Sequence, residues 1–113
     1  MHEMSLCEGV LTVLEDSAKQ QGFKKVKKVW LEIGVLSGVE HEAMLFSYDV
    51  VVKGSVADGS TLEIIELPAQ AWCMQCMNEV EITGRGEPCP SCGSYQLQIS
   101  SGDELRIKEL EVE

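Results

Sequence analysis

Two Cys-x-x-Cys pairs, Cys73-Met74-Gln75-Cys76 and Cys89-Pro90-Ser91-Cys92, stand twelve residues apart in a chain of 113. No other feature limits the fold as tightly. Thiolates at i and i+3 reach one tetrahedral ion from a tight turn, and a second such turn completes the coordination sphere. Pro90 fixes φ within the second turn, and Gly93 tolerates the positive φ needed to leave it. The residue types leave two disulfides or two redox dithiols as alternatives. The doubled spacing, with no secretory leader visible, favours a metal site in a reducing compartment, taken as the cytoplasm. Spacing alone does not separate zinc from iron. A closed four-thiolate site stabilises a module without performing chemistry, so function has to be sought elsewhere.

Charge narrows the partners. Nine basic against nineteen acidic residues give −10. Four thiolates around a divalent ion add two more negative charges, about −12 in all. Within residues 69–100, Glu79, Glu81 and Glu87 face Arg85 alone. Phosphate backbones are repelled by such a surface, which argues against a nucleic-acid-binding zinc ribbon. Cations and basic protein surfaces suit it. No apolar run approaches the roughly 18 residues of a membrane helix. An apolar fraction of 44% is enough for a genuine core.

Periodicity supplies the frame. Ser5 with Glu8 matches a capping box, and Cys7, Val10, Leu11, Leu14 and Ala18 then recur at helical spacing until Gly22. Residues 25–34 alternate as a strand. Ser37 with Glu40 repeats the capping-box pattern ahead of a second helix ending near Gly54. Strands follow over Thr61 to Leu67 and Leu105 to Val112, the latter with a slip in its alternation. Glu79 to Ile82 and Gln96 to Ile99 are short strands of the cysteine module. The fold class is α/β (α+β): a two-helix, three-stranded domain of residues 1–68 and 101–113, with a zinc-ribbon-like domain inserted at 69–100.

Catalytic constellations are absent. There is no phosphate-binding Gly-rich loop, nucleophile elbow or His-Glu-x-x-His run, so an enzyme is not expected. Cys7 lies on an apolar stripe and is expected to be a buried core thiol. The placement of His2 is of more interest. The Met1 amine, the His2 amide nitrogen and the imidazole Nδ1 close a five- and then a six-membered ring on one ion, with Glu3 near enough to supply a fourth donor. Such nitrogen donors suit square-planar Ni(II) or Cu(II). With Ser5 as the cap, residues 1–4 lie outside the helix and are free to wrap an ion. A frayed, solvated terminus is the ordinary alternative for the same residues. His41 is expected at a solvated surface position, and Glu40 has a capping role available.

Taken together, Met1-His2-Glu3, Trp30-Leu31-Glu32-Ile33-Gly34, the two cysteine pairs and the final Glu111-Val112-Glu113 resemble the HypA/HybF family of nickel metallochaperones, which serve [NiFe]-hydrogenase maturation. The resemblance implies Ni(II) held by Met1, His2 and Glu3, and structural Zn2+ on Cys73, Cys76, Cys89 and Cys92. An acidic residue opening the second helix recurs in the family, which places Glu40 beside the nickel site. Delivery to the hydrogenase large-subunit precursor, with a nucleotide-hydrolysing GTPase partner of the HypB type, is likewise implied. Several members carry His directly after a knuckle cysteine, where this chain has Gly93. Two other classes stay in view: a zinc-ribbon interaction or nucleic-acid-binding module, and a rubredoxin-like iron electron-transfer protein. Neither the client enzyme nor the oligomeric state, a homodimer included, follows from the residues.

Overall fold

A computed structural model describes residues 2–113. The order is α1 (His2–Gln21), β1 (Val26–Gly34), α2 (His41–Val51), β2 (Thr61–Leu67), β3 (Ala69–Cys73), β4 (Asn78–Ile82), β5 (Leu97–Ser101) and β6 (Leu105–Val112). Two three-stranded sheets result, ordered β2-β1-β6 and β4-β3-β5. This is the expected α+β class with a zinc-ribbon-like unit. The described residues divide into one compact unit of residues 2–31, 39–64 and 107–113, and another of residues 32–38 and 65–106.

In the first unit, Cys7, Val10 and Leu14 form the buried stripe of α1, Met44 and Tyr48 that of α2. On β1, Val29 and Leu31 lie on one buried face, and Val26, at the start of the strand, is buried as well. The Tyr48 hydroxyl, in this core, is satisfied by Ser60 Oγ at 2.7 Å. Gly22 stops α1, with φ +79° and its N–H donating to the Ala18 carbonyl at 2.8 Å.

Both expected capping boxes are corrected. Helix α1 begins at His2, so Ser5 and Glu8 lie inside it and residues 2–4 belong to its first turn. Glu3 supplies the acidic side chain that the positive end of the helix favours. For α2 the cap is Glu40 itself: its carboxylate accepts from Glu42 N–H at 3.1 Å and Ala43 N–H at 2.9 Å. Helix α2 ends at Val51, three residues before Gly54.

The second unit is organised by β3, a strand that the sequence pattern did not disclose. It pairs antiparallel with β4, placing Trp72 opposite Glu79, and with β5, placing Trp72 opposite Gln98. Ala69, Ala71 and Ile82 form a small core against Val35, Leu36, Val80 and Leu97. Gly34 lets the backbone close up, because a Cβ there would run into the Gly102 carbonyl.

Candidate metal centres

The first knuckle follows from the end of β3. Cys73 is its last residue, and the Met77 N–H returns to the Cys73 carbonyl at 2.8 Å, with Met77 itself at φ +59°. The second knuckle closes in the same way: Gly93 N–H donates to the Cys89 carbonyl at 2.8 Å, and Gly93 takes φ +79°. The Met74 N–H reaches the Gln96 carbonyl at 3.0 Å, tying the first knuckle to the segment that leaves the second.

These turns bring all four sulfurs within 4.8 Å of one another. Cys73 and Cys92 Sγ lie 3.7 Å apart, Cys76 and Cys89 Sγ 3.8 Å. A tetrahedron with metal–sulfur bonds of about 2.3 Å has sulfur–sulfur edges of about 3.8 Å, so these two edges already match a four-thiolate site. A disulfide needs about 2.04 Å, and the cysteines are unbridged. Backbone donors already aim at this charge: Cys76 N–H lies 3.3 Å from Cys73 Sγ, and Ser91 N–H 3.4 Å from Cys89 Sγ.

Without an ion the thiols compete for protons. Cys76 is pushed up to about 12, first by the Cys92 thiol and then by burial and the remaining sulfurs. Burial also pushes Cys89 upward, but the N–H groups of Cys92 and Ser91 outweigh it and bring that thiol to about 6. A bound cation would displace the remaining protons and hold all four as thiolates.

A second constellation forms where the first turn of α1 meets the cap of α2. His2 Nδ1 lies 3.8 Å from Glu3 Oε2, and the same oxygen accepts from the Glu40 N–H at 3.2 Å. That donor, followed by the N–H of Glu3 itself, holds the Glu3 carboxyl below its usual range. The imidazole of His2 is exposed and the Glu3 side chain largely covered. Met1, also expected here, lies outside the described residues. Starting the helix at His2 does not remove the amide nitrogen from use, since the first four N–H groups of any helix lack an intrahelical acceptor. Glu40 is thus next to His2 and Glu3, but its own carboxylate is engaged in capping. Cys7 sits one turn further along α1, fully buried, its Sγ 3.6 Å from the Met44 carbonyl and 3.7 Å from Met44 Sδ.

A family model described as "Hydrogenase/urease nickel incorporation, metallochaperone, hypA" matches residues 1–112. The chain belongs to this family. Relatives named hydrogenase maturation factor HypA include one from Albidiferax ferrireducens, 58% identical, and one from Azotobacter chroococcum, 55% identical, each covering the whole of both chains. Two solved HypA structures share the fold. The solution structure of the Ni metallochaperone HypA from Helicobacter pylori is similar with a TM-score of 0.68 at 21% identity, over 97% of this chain and 96% of that one. A second HypA solution structure reaches 0.73 at 24% identity, over 99% and 96%. No helix among the described residues is long and apolar enough to cross a membrane.

Proposed function

We propose that this chain is a cytoplasmic carrier, not a catalyst, which takes Ni(II) on Met1, His2 and Glu3 and hands it to a [NiFe]-hydrogenase large-subunit precursor. The observation that supports this most is the Glu3 carboxylate, held beside the His2 imidazole by the Glu40 N–H. An anionic oxygen and an imidazole nitrogen already adjacent reduce the ordering needed to close around a cation. The amine of Met1 and the amide nitrogen of His2 complete a set of donors that favours square-planar Ni(II) over Zn2+ or Mg2+. Exposure of His2 leaves the cargo open to ligand exchange with an acceptor.

Zinc is assigned to Cys73, Cys76, Cys89 and Cys92, where it supplies structural cross-linking and offers no open position. The residues around it form a docking face. The energy source for transfer is left to a nucleotide-hydrolysing partner of the HypB type, since no phosphate-binding motif is present in the sequence.

Calorimetric Ni(II) titration of the untagged protein is the test, set beside His2→Ala and a form with one residue added ahead of Met1. Both changes should abolish tight binding while far-UV circular dichroism stays the same. Undiminished affinity in either form refutes the clamp.

A further inference from the structure

The chain contains two tryptophans, and each has a carboxylate partner. In the first unit, the Lys28 ammonium lies 4.7 Å from the centre of the Trp30 ring and 3.0 Å from Glu63 Oε1. A cation is there held between an aromatic ring and a carboxylate, both supplied by the same chain. In the second unit, Trp72 stands on the central strand β3, directly across from Glu79, with Glu81 two residues further along the same face. Directly opposed residues on one face have Cβ atoms about 5 Å apart.

The Glu79 side chain reaches across that face. Its Oε2 lies 3.4 Å from Ser100 Oγ, which also donates to the Gln70 carbonyl at 3.2 Å. Ser100 belongs to β5 and Glu79 to β4, so the carboxylate extends over β3, the strand that carries Trp72. Trp72 remains 38% exposed, and Met74, in the turn just past the end of β3, is 54% exposed. Among the described residues no lysine or arginine is placed over Trp72. Arg85 is the one basic residue in 69–100. The second tryptophan–carboxylate pair thus repeats the chemistry of the first without a cation from this chain.

We infer that the outer face of β4-β3-β5, centred on Trp72, Glu79 and Glu81, binds an arginine- or lysine-bearing segment of a partner protein. The cationic head lies over the Trp72 ring while the two carboxylates fix its position, and Met74 packs against the aliphatic stem. Acidic flanks exclude nucleic acid from the same ring, because a base stacked there would bring its phosphate towards Glu79 and Glu81. The inference rests on the proposal that the thiolate-held unit is a docking surface, and it specifies the chemistry docked.

The probe is a synthetic peptide of alternating arginine and glycine, titrated into the 15N-labelled, zinc-loaded full chain, with a citrulline-for-arginine peptide as the uncharged control. The indole N–H of Trp72 should shift with the arginine peptide and stay still with citrulline. That of Trp30, already covered by Lys28, is the internal reference. Trp72→Leu and the double variant Glu79→Gln/Glu81→Gln should each weaken binding by roughly five-fold, the scale of an exposed cation–π contact. Ni(II) titration of the same variants should be unchanged. A stationary Trp72 resonance at saturating peptide, or equal affinity in both variants with spectra of folded protein, overturns the inference. A Trp72 shift produced instead by a single-stranded oligonucleotide overturns it as well. Loss of nickel binding in the wild-type chain would sink the clamp and leave this face untouched.

Discussion

Glu40 is where a capping role and a metal-ligand role give opposite results, so its removal is the most informative single change. In Glu40→Ala the N–H groups of Glu42 and Ala43 lose acceptors at 3.1 and 2.9 Å. Both positions are near solvent, so water recovers part of the loss, and the expected cost is about 1 kcal/mol for the cap. Loss of a negative charge from the helix N-terminus adds about 0.3–1 kcal/mol at low salt. For a chain of 113 residues the unfolding entropy is about 0.24 kcal/mol per kelvin, so the sum corresponds to a Tm lowered by roughly 5–8 °C. Glu40→Gln, which keeps one acceptor oxygen, should lose about half as much. The Glu40 N–H that orients Glu3 is backbone and survives both changes. Nickel affinity should therefore fall by less than about ten-fold, through loosening of the first turn of α2 alone. Thermal unfolding by circular dichroism and nickel titration on the same samples provide both readouts. Complete loss of nickel binding with an unchanged Tm would make the Glu40 carboxylate itself a ligand and refute the capping assignment.

Three further outcomes are expected. Burial, followed by the charge of Glu3, pushes the Cys7 thiol from 9.0 up to about 11, so the folded protein keeps this proton where the unfolded chain loses it. Stability should be fully present below about pH 9 and decline towards pH 11, by at most about 2.7 kcal/mol; urea titrations of wild type and Cys7→Ala should diverge over that window, and parallel profiles would contradict the burial argument. Gly102→Ala forces a side chain onto φ +130° and brings its Cβ to 2.9 Å from Ala69 Cα, so a loss of about 2–3 kcal/mol is expected in urea unfolding. Cys92→Ser removes the exposed ligand of the four; it should release the structural ion to a chelator and strip hydrogen-exchange protection from β3, β4 and β5, while Ni(II) titration is unaffected.

How far the fold could be read ahead depended on which signal each residue carried. The bounds of β2 and β6 were legible, despite imperfect alternation, because Pro68 ends one β-prone run and the Ser101-Gly102-Asp103 segment precedes the other. β3 was missed although Ala69, Ala71 and Cys73 do alternate with Gln70 and Trp72. Alanine has little preference for strands, and what holds it there is the small core against Val35 and Leu36, a tertiary cause. The helix starts were misplaced for a related reason. Ser5 with Glu8, and Ser37 with Glu40, satisfy the capping-box spacing, but spacing does not reveal that the α1 turn begins earlier or that a glutamate serves as the cap. The four thiols were legible as a set because their chemistry is local to two turns. Trp72 and Glu79 were not, since only the pairing of β3 with β4 makes them neighbours.

Two proposed metal sites in so small a protein raise the question of what would keep each ion in its place, and the donor chemistry supplies an answer. The thiolate site is a tetrahedron whose edges are set by backbone turns at Met77 and Gly93. The planar preference of Ni(II) comes with amine, amide and imidazole nitrogens, and the knuckles offer four sulfurs and none of these donors. Zn2+ has no such preference, and gains nothing from ionising an amide at neutral pH, so the first turn of α1 is a poor site for it. Affinity order alone would let nickel and zinc compete for any nitrogen or sulfur donor; geometry separates them. On this argument a knuckle residue matters to nickel only through the shape of the docking face. A Gly93→His variant should therefore leave nickel stoichiometry at the N-terminus unchanged. It should alter the zinc site instead, because any side chain at φ +79° strains the turn that ends in Cys92. X-ray absorption at the nickel and zinc edges of that variant distinguishes the two effects, and sulfur appearing in the nickel shell would end the separation by geometry.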